Sequence, residues 1–189
     1  MSKKLILASS SPRRLMLLQA AGFEVQQLSP DMEEIIEPHE SARIAAERLS
    51  REKALNIGFR ELPVIAADTI VLIDDIILGK PTDYADATAM LKRLAGKWHE
   101  VWTGFSVAFK GNVHTQSVCT RVKFRPYTSE DIALYLENEK PYDKSGSYAI
   151  QNSGCSLIDR IEGSITNIVG LPLAELLVLI NGLDLHGPE

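Results

Sequence analysis

The residues of this chain best suited to chemistry are a run of serines and arginines, one aspartate inside an apolar stretch, and a few lysines beside turns. Ser9-Ser10-Ser11-Pro12-Arg13-Arg14 stands where a short apolar run gives way to a helix start. Free N–H groups at a helix start, with the positive end of its dipole, attract anions. The hydroxyls of Ser9 and Ser11 and the guanidinium groups of Arg13 and Arg14 can hold phosphate oxygens there, bidentately in the case of arginine. The plain alternative is a capped helix with two solvated arginines. Asp68, in Ala66-Ala67-Asp68-Thr69, interrupts an otherwise apolar run. A carboxylate in that setting is costly to bury unless it meets a cation, a metal or hydrogen-bond donors. It could bind Mg²⁺ or Mn²⁺ through oxygen or orient an attacking water; satisfaction by nearby backbone N–H groups is the structural alternative.

Lys53, Lys80 and Lys144 are each, singly, of the kind usually solvated. Lys80 is the most suggestive, because Gly79 and Pro81 restrain its backbone. The acidic run Asp31-Met32-Glu33-Glu34 would also be a solvated loop by itself, yet it could add a metal ligand opposite Asp68. In Pro141-Tyr142-Asp143-Lys144-Ser145-Gly146-Ser147-Tyr148-Ala149-Ile150-Gln151 the Ser-Gly-Ser run permits close backbone approach to a ligand. Gln151 offers one acceptor and two donors, able to pair with the carbonyl and N–H edge of uracil or thymine; a polar hairpin is the alternative. His39, His99, His114 and His186 fall in no metal-ligand spacing and receive no catalytic role.

These groups need elements to position them. Lys4 to Ala8 reads as a buried strand, followed by a helix with Ser11 as N-cap, Pro12 in its first turn and Gly22 as its stop. A strand is expected over Glu24–Ser29, a loop over Asp31–His39, and a helix from Ser41 to Gly58. Pro63–Ile73 predicts a central strand turning at Asp74-Asp75 into Ile76–Leu78. A helix follows over Asp83–Leu94, then two long strands, Val101–Phe109 and Val113–Phe124, joined by the hairpin signal Lys110-Gly111-Asn112. Thr128, with Asp131 three residues on, opens a helix to about Asn138. Short strands near Tyr148 and Leu157 and a helix after Gly170-Leu171-Pro172 complete an α/β pattern with a mixed sheet.

A chain of 189 residues suffices for one domain, or one domain with two lobes, and 45 % apolar and 24 % charged residues are ordinary for a soluble globular protein. A formal charge of −5 argues against a general nucleic-acid partner. No apolar run is long enough for a membrane span, and the first is too short for a signal-peptide core. Two distant cysteines, Cys119 and Cys155, suit a reduced, cytoplasmic chain. Gly79-Lys80-Pro81 is not a Walker loop, which disfavours a P-loop enzyme, and kinase motifs are missing.

Taken together, the blocks Leu7–Arg14, Arg51-Glu52-Lys53-Ala54, Ala67-Asp68-Thr69, Gly79-Lys80-Pro81, Leu94–Val101, Asp143–Gln151 and Gly170-Leu171-Pro172-Leu173 resemble, in order, the Maf family of nucleoside triphosphate pyrophosphatases, also described as septum-formation-inhibitor-like. Lys140, Ser145 and Asn152 stand where that family often has Glu, Ala and Gly. The resemblance implies a single domain over 1–189 with an elongated mixed central sheet and two lobes around a cleft, a Maf/Ham1 fold like that of inosine-triphosphate pyrophosphatases. It assigns Asp68 as the catalytic proton acceptor and Arg13, Thr69 and Gln151 as specificity positions of the dTTP/UTP-preferring branch. Ser9, Ser11, Arg14, Lys53 and Lys80 fall at phosphate-binding positions, and Glu34 with Asp68 at the metal, Glu33 being the other acid that fits the register.

The expected reaction is a house-cleaning hydrolysis of dTTP or UTP, or of modified pyrimidine nucleotides, to the monophosphate and pyrophosphate with Mg²⁺ or Mn²⁺. Asp68 and Glu34 position a water against the α-phosphorus while the cations meet the triphosphate charge. The expected partner is the nucleotide, with no nucleic acid and no membrane, and a homodimer is compatible with the chain. The rival is a nucleotide-binding regulator of cell division without turnover.

Overall fold

In the computed structural model the described residues are 3–183; His186 lies outside them. Seven strands form one sheet in the order β2-β1-β3-β5-β6-β7, with β4 paired to β3 off that path. The strands are β1 (Lys3–Leu7), β2 (Phe23–Gln27), β3 (Val64–Ile73), β4 (Ile76–Leu78), β5 (Trp98–Phe109), β6 (Asn112–Phe124) and β7 (Ile158–Glu162). Strand β1 runs parallel to both β2 and β3, whereas β4 is antiparallel to β3 and β7 to β6. The sheet is therefore mixed, as the combination of crossover helices and hairpins predicts.

Both hairpin signals act as read. Lys110 and Gly111, between β5 and β6, have φ of 46° and 80°; Asp74 and Asp75, between β3 and β4, have 50° and 60°. Two consecutive positive φ values are what a two-residue turn matching strand twist requires. The helices are α1 (Pro12–Ala20), α2 (Ala42–Ile57), α3 (Tyr84–Leu94), α4 (Ser129–Glu139), α5 (Ile165–Val169) and α6 (Leu173–Gly182). Ser11, Ser41, Asp83 and Thr128 each cap the following helix, the side chain accepting from the backbone N–H three residues on.

The chain divides into two compact units. The first comprises Met1–Asp68, Thr103–Val118 and Gly170–Glu189; the second comprises Thr69–Trp102 and Cys119–Val169. In the first unit, alternation sorts the strand side chains onto two faces. Leu5, Leu7, Ile65, Ala67, Phe105 and Val107 pack with Leu18 of α1 and Leu176 and Ile180 of α6. Ile6, Ala8, Val64 and Ala66 instead meet Ala54 of α2. With both faces covered, β1 and the first half of β3 must read as unbroken apolar runs. The second unit is built around Val71, Ile73, Leu91, Leu94, Phe124, Ile132, Leu136 and Leu157.

One expectation changes, while the strand read near Leu157 is found as β7. Tyr148 belongs to no strand: the chain before it makes a 3₁₀ turn over Ser145–Ser147, because Gly146 and Ser147 sit at φ of 70° and 59° and cannot continue an extended run. A second 3₁₀ segment, Asn152–Leu157, delivers the last strand one residue after Leu157. Helix α5 has only five residues, too few for a periodic signal. Cys119 and Cys155 are both free thiols, and no described helix is long and apolar enough to cross a membrane.

Candidate active site

Asp68 continues the even-numbered face of β3, after Val64 and Ala66, and that face is covered by α2. Its neighbour there is Lys53, adjacent to Ala54. Lys53 is 4 % exposed and Asp68 6 %, depths at which either charge alone would be expensive. The Lys53 ammonium lies 2.5 Å from Asp68 Oδ1 and 2.8 Å from Glu34 Oε1, so one buried cation gathers two carboxylates. Asp68 is thus satisfied by a side-chain cation, and of the two adjacent acids Glu34 is the one bound to Lys53.

Glu34 comes from an irregular segment that α2 holds on both sides. Asn56 exchanges hydrogen bonds with the backbone of Asp31, at 3.0 and 3.1 Å. Arg48 donates to the carbonyl of Ile35 at 2.8 Å and pairs with Glu40 at 2.7 Å. Its hydrogen bond to Glu40 raises the Arg48 pKa, and the same contact lowers that of Glu40. A run that reads as a solvated acidic loop is therefore fastened along one helix, with Lys53 between its two anchors.

Ser9, two residues beyond β1, is also buried. Its hydroxyl accepts from Ser11 N–H at 3.2 Å and from Arg14 Nη1 at 3.0 Å, while Ser11 caps α1. Arg14 Nε donates to the carbonyl of Gly170 at 2.8 Å. Burial lowers the Arg14 pKa, opposed by the charges of Asp68 and Glu34 and reinforced by Arg13. Those influences put Arg14 in the electrostatic range of both acids. Within the first unit, then, Ser9, Ser11, Arg14, Glu34, Lys53 and Asp68 form one constellation, with Arg13 on the first turn of α1.

The second unit carries Thr69, Lys80 and Gln151. The Thr69 carbonyl accepts from the Ser145 hydroxyl at 3.2 Å, and the Gly79 carbonyl accepts from Gly146 N–H at 3.0 Å. Gly146 has φ of 70°, and an added Cβ would lie 3.1 Å from Val71 Cγ1, so this position calls for glycine. These bonds tie the Ser-Gly-Ser turn to the strands flanking Thr69 and Lys80. Lys80 is exposed. The side-chain oxygen and nitrogen of Gln151 are both buried, and among the described residues neither has a hydrogen-bond partner. A buried amide left so costs on the order of 1–3 kcal/mol, which a ligand offering one donor and one acceptor would recover. No hydrogen bond joins Gln151 to Thr69 or Lys80 among the described residues.

Asn152 occupies φ of 55°, a conformation asparagine tolerates. Lys140 likewise sits at 45°, as the C-cap of α4. His99 is buried, with Nε2 2.7 Å from the Tyr148 hydroxyl; burial pushes its pKa down to about 3, so it is neutral and structural. Missed by sequence reasoning were Gly170, whose carbonyl grips an arginine 156 positions earlier, and the anchors Arg48 and Asn56. Nothing in their spacing signals those contacts.

Among the described residues no three His, Cys, Asp or Glu side chains cluster as a metal site. Asp68 and Glu34 nonetheless supply hard oxygen donors converging on one cation, and Mg²⁺ commonly takes one or two carboxylates, completing its shell with water and phosphate oxygens. The donor set fits such an ion.

The family described as Maf-like protein matches residues 4–183. This chain belongs to the Maf family. A dTTP/UTP pyrophosphatase of Thermosipho africanus (strain TCF52B) is 44 % identical over 173 residues, covering 92 % of this chain and 90 % of the relative. Another so named, from Vibrio cholerae serotype O1, is 45 % identical over 175 residues, with 91 % and 94 % covered. A HAM1 protein of solved structure, from Coxiella burnetii, superposes with a TM-score of 0.51 at 13 % identity, over 95 % of this Maf chain and 99 % of that one. That likeness is one of fold, and it bears out the Maf/Ham1 expectation.

Proposed function

We propose that this Maf protein is a cytoplasmic, metal-dependent pyrophosphatase that hydrolyses dTTP and UTP, and pyrimidine nucleotides modified away from the same edge, to the monophosphate and pyrophosphate. The observation that carries it is the buried Lys53, joined to Asp68 and Glu34. Relatives named dTTP/UTP pyrophosphatase, alike over nearly the whole chain, support the choice of substrate. Free thiols suit a reducing compartment.

In this reading a water held by the Asp68 carboxylate attacks the α-phosphorus. Its proton passes to Asp68, and the bond from the α-phosphorus to the bridging oxygen breaks, the electron pair leaving with pyrophosphate. Arg14 and Lys53 offset the charge that grows on the phosphate oxygens, and the Ser9 and Ser11 hydroxyls orient the arginine and the start of α1. Asp68 and Glu34 would hold the divalent ion, which supplies further neutralisation of that charge. In the second unit Gln151 reads the base: its amide oxygen accepts the ring N–H of uracil or thymine and its NH₂ donates to a ring carbonyl. Arg13 and Thr69 would add to specificity and Lys80 to phosphate binding, as the family resemblance implies.

The test is product analysis. The purified chain is incubated with a panel of nucleoside triphosphates in Mg²⁺, Mn²⁺ or excess chelator. Pyrophosphate and monophosphate from dTTP and UTP, abolished by chelation, are the expected result. Orthophosphate as the sole phosphate product would sink the proposal, and binding without turnover would favour a regulatory role.

A further inference from the structure

Among the described residues, Gln151 receives no orientation from hydrogen bonds of its own side-chain amide. Its aim must come from the backbone on either side, and both sides are held by one face of α4. Two residues before it, Ala149 N–H donates to the Tyr135 hydroxyl at 3.2 Å. Just after it, Glu139 accepts from Asn152 Nδ2 at 3.3 Å, from Ser153 N–H at 3.2 Å and from the Ser153 hydroxyl at 2.6 Å. Tyr135 and Glu139 are four residues apart, hence stacked on the same helix face. The segment between these grips also closes on itself. Gly154 N–H donates to the Gln151 carbonyl at 3.2 Å, and a Cβ on Gly154 would stand 1.8 Å from the Ala149 carbonyl oxygen. Asn152 makes the bend at φ of 55°, and the Tyr148 hydroxyl is fixed by His99. The helix behind this loop is itself firm: it opens with a capping box at Thr128 and Asp131 and buries Ile132 and Leu136.

We infer that Tyr135 and Glu139 are positioning residues for base selectivity: α4 acts as a ruler whose two grips, one turn apart, set where the Gln151 amide points. The inference rests on the reading of Gln151 as the group that meets the base. Neither side chain is given any contact with substrate. Their effect passes through the backbone of 149–153, where misplacement by about 1 Å can cost up to ~10²-fold in rate.

The experiment compares kcat/KM for UTP against that for GTP, together with melting temperature, in the full chain. Its variants are Tyr135→Phe, Glu139→Gln, Gln151→Ala and Tyr127→Phe. Tyr127→Phe is the control, because that hydroxyl donates a part-buried hydrogen bond in the second unit to the Leu91 carbonyl, at 2.7 Å, and not to residues 149–153. Tyr135→Phe and Glu139→Gln should each lower the UTP/GTP ratio by roughly tenfold, through the UTP value, while Tyr127→Phe lowers only the melting temperature. The inference is overturned if the two grip variants keep the wild-type ratio while Gln151→Ala collapses it. It is equally overturned if Tyr127→Phe lowers the ratio as much as they do, since general loosening then explains the effect. If Gln151→Ala itself leaves the ratio intact, the base-reading role is the part that fails, and the ruler falls with it.

Discussion

At the scale of single residues, the site turns on how a buried charge is satisfied. Asp68 was legible because a carboxylate inside an apolar run demands a partner. Lys53 was legible only through the family resemblance, and its pairing with both acids was not, because most lysines are solvated and nothing in the spacing of residues 34, 53 and 68 announces that they meet. Asp68→Asn should lower kcat by about 10²- to 10⁴-fold, the usual contribution of a positioned general base. Lys53 keeps Glu34 as a partner in that variant, so circular dichroism should report a folded protein. Lys53→Met acts differently, stranding a buried carboxylate. Removing one partner of such a pair costs about 3–5 kcal/mol, and urea unfolding should show a loss of that order alongside the loss of turnover. A surface-like cost of under about 1 kcal/mol would mean the pair is wetter than its burial indicates.

At the scale of elements, what was readable is what local chemistry decides. Ser11, Ser41, Asp83 and Thr128 mark four helix starts because a short polar side chain satisfies an otherwise orphaned backbone N–H. Thr128→Ala should therefore cost about 1 kcal/mol, seen as a fall of roughly 2–4 °C in melting temperature. The segment around Tyr148 went astray for an equally physical reason. Its residues have strand-like character, but Gly146, Ser147 and Asn152 hold left-handed φ values that the turn and its anchors impose. The acidic segment before α2 was legible as a loop, whereas its fastening by Arg48 and Asn56 depends on which face of α2 it meets.

At the scale of the whole molecule, the order of motifs along the chain carried the family, while strand order did not follow from sequence. That β1 lies between β2 and β3, and β5 beside β3, is settled by packing of both sheet faces rather than by any local signal. One global property does follow from a single burial. His99 has a folded pKa of about 3 against an ordinary value of 6.5, so between those values the unfolded chain binds a proton that the folded chain refuses. Stability from this group is fully present above about pH 6.5 and falls as pH drops towards 3, by up to about 1.4 kcal/mol per unit. Urea midpoints at pH 7, 6 and 5 should decline in wild type, and the decline should flatten in His99→Phe, before the carboxylates with lowered pKa values begin to titrate.

Lys53 also constrains how this site can change over generations. Glu34 is 40 % exposed at its side chain, so its loss leaves Lys53 still paired with Asp68, whereas losing Asp68 as well leaves a buried ammonium alone. Lys53 lost first leaves an acid buried alone. Substitutions at the three positions are therefore epistatic, and a lineage that abandons this chemistry has a passable order: Glu34 can go first, while Asp68 and Lys53 must go together.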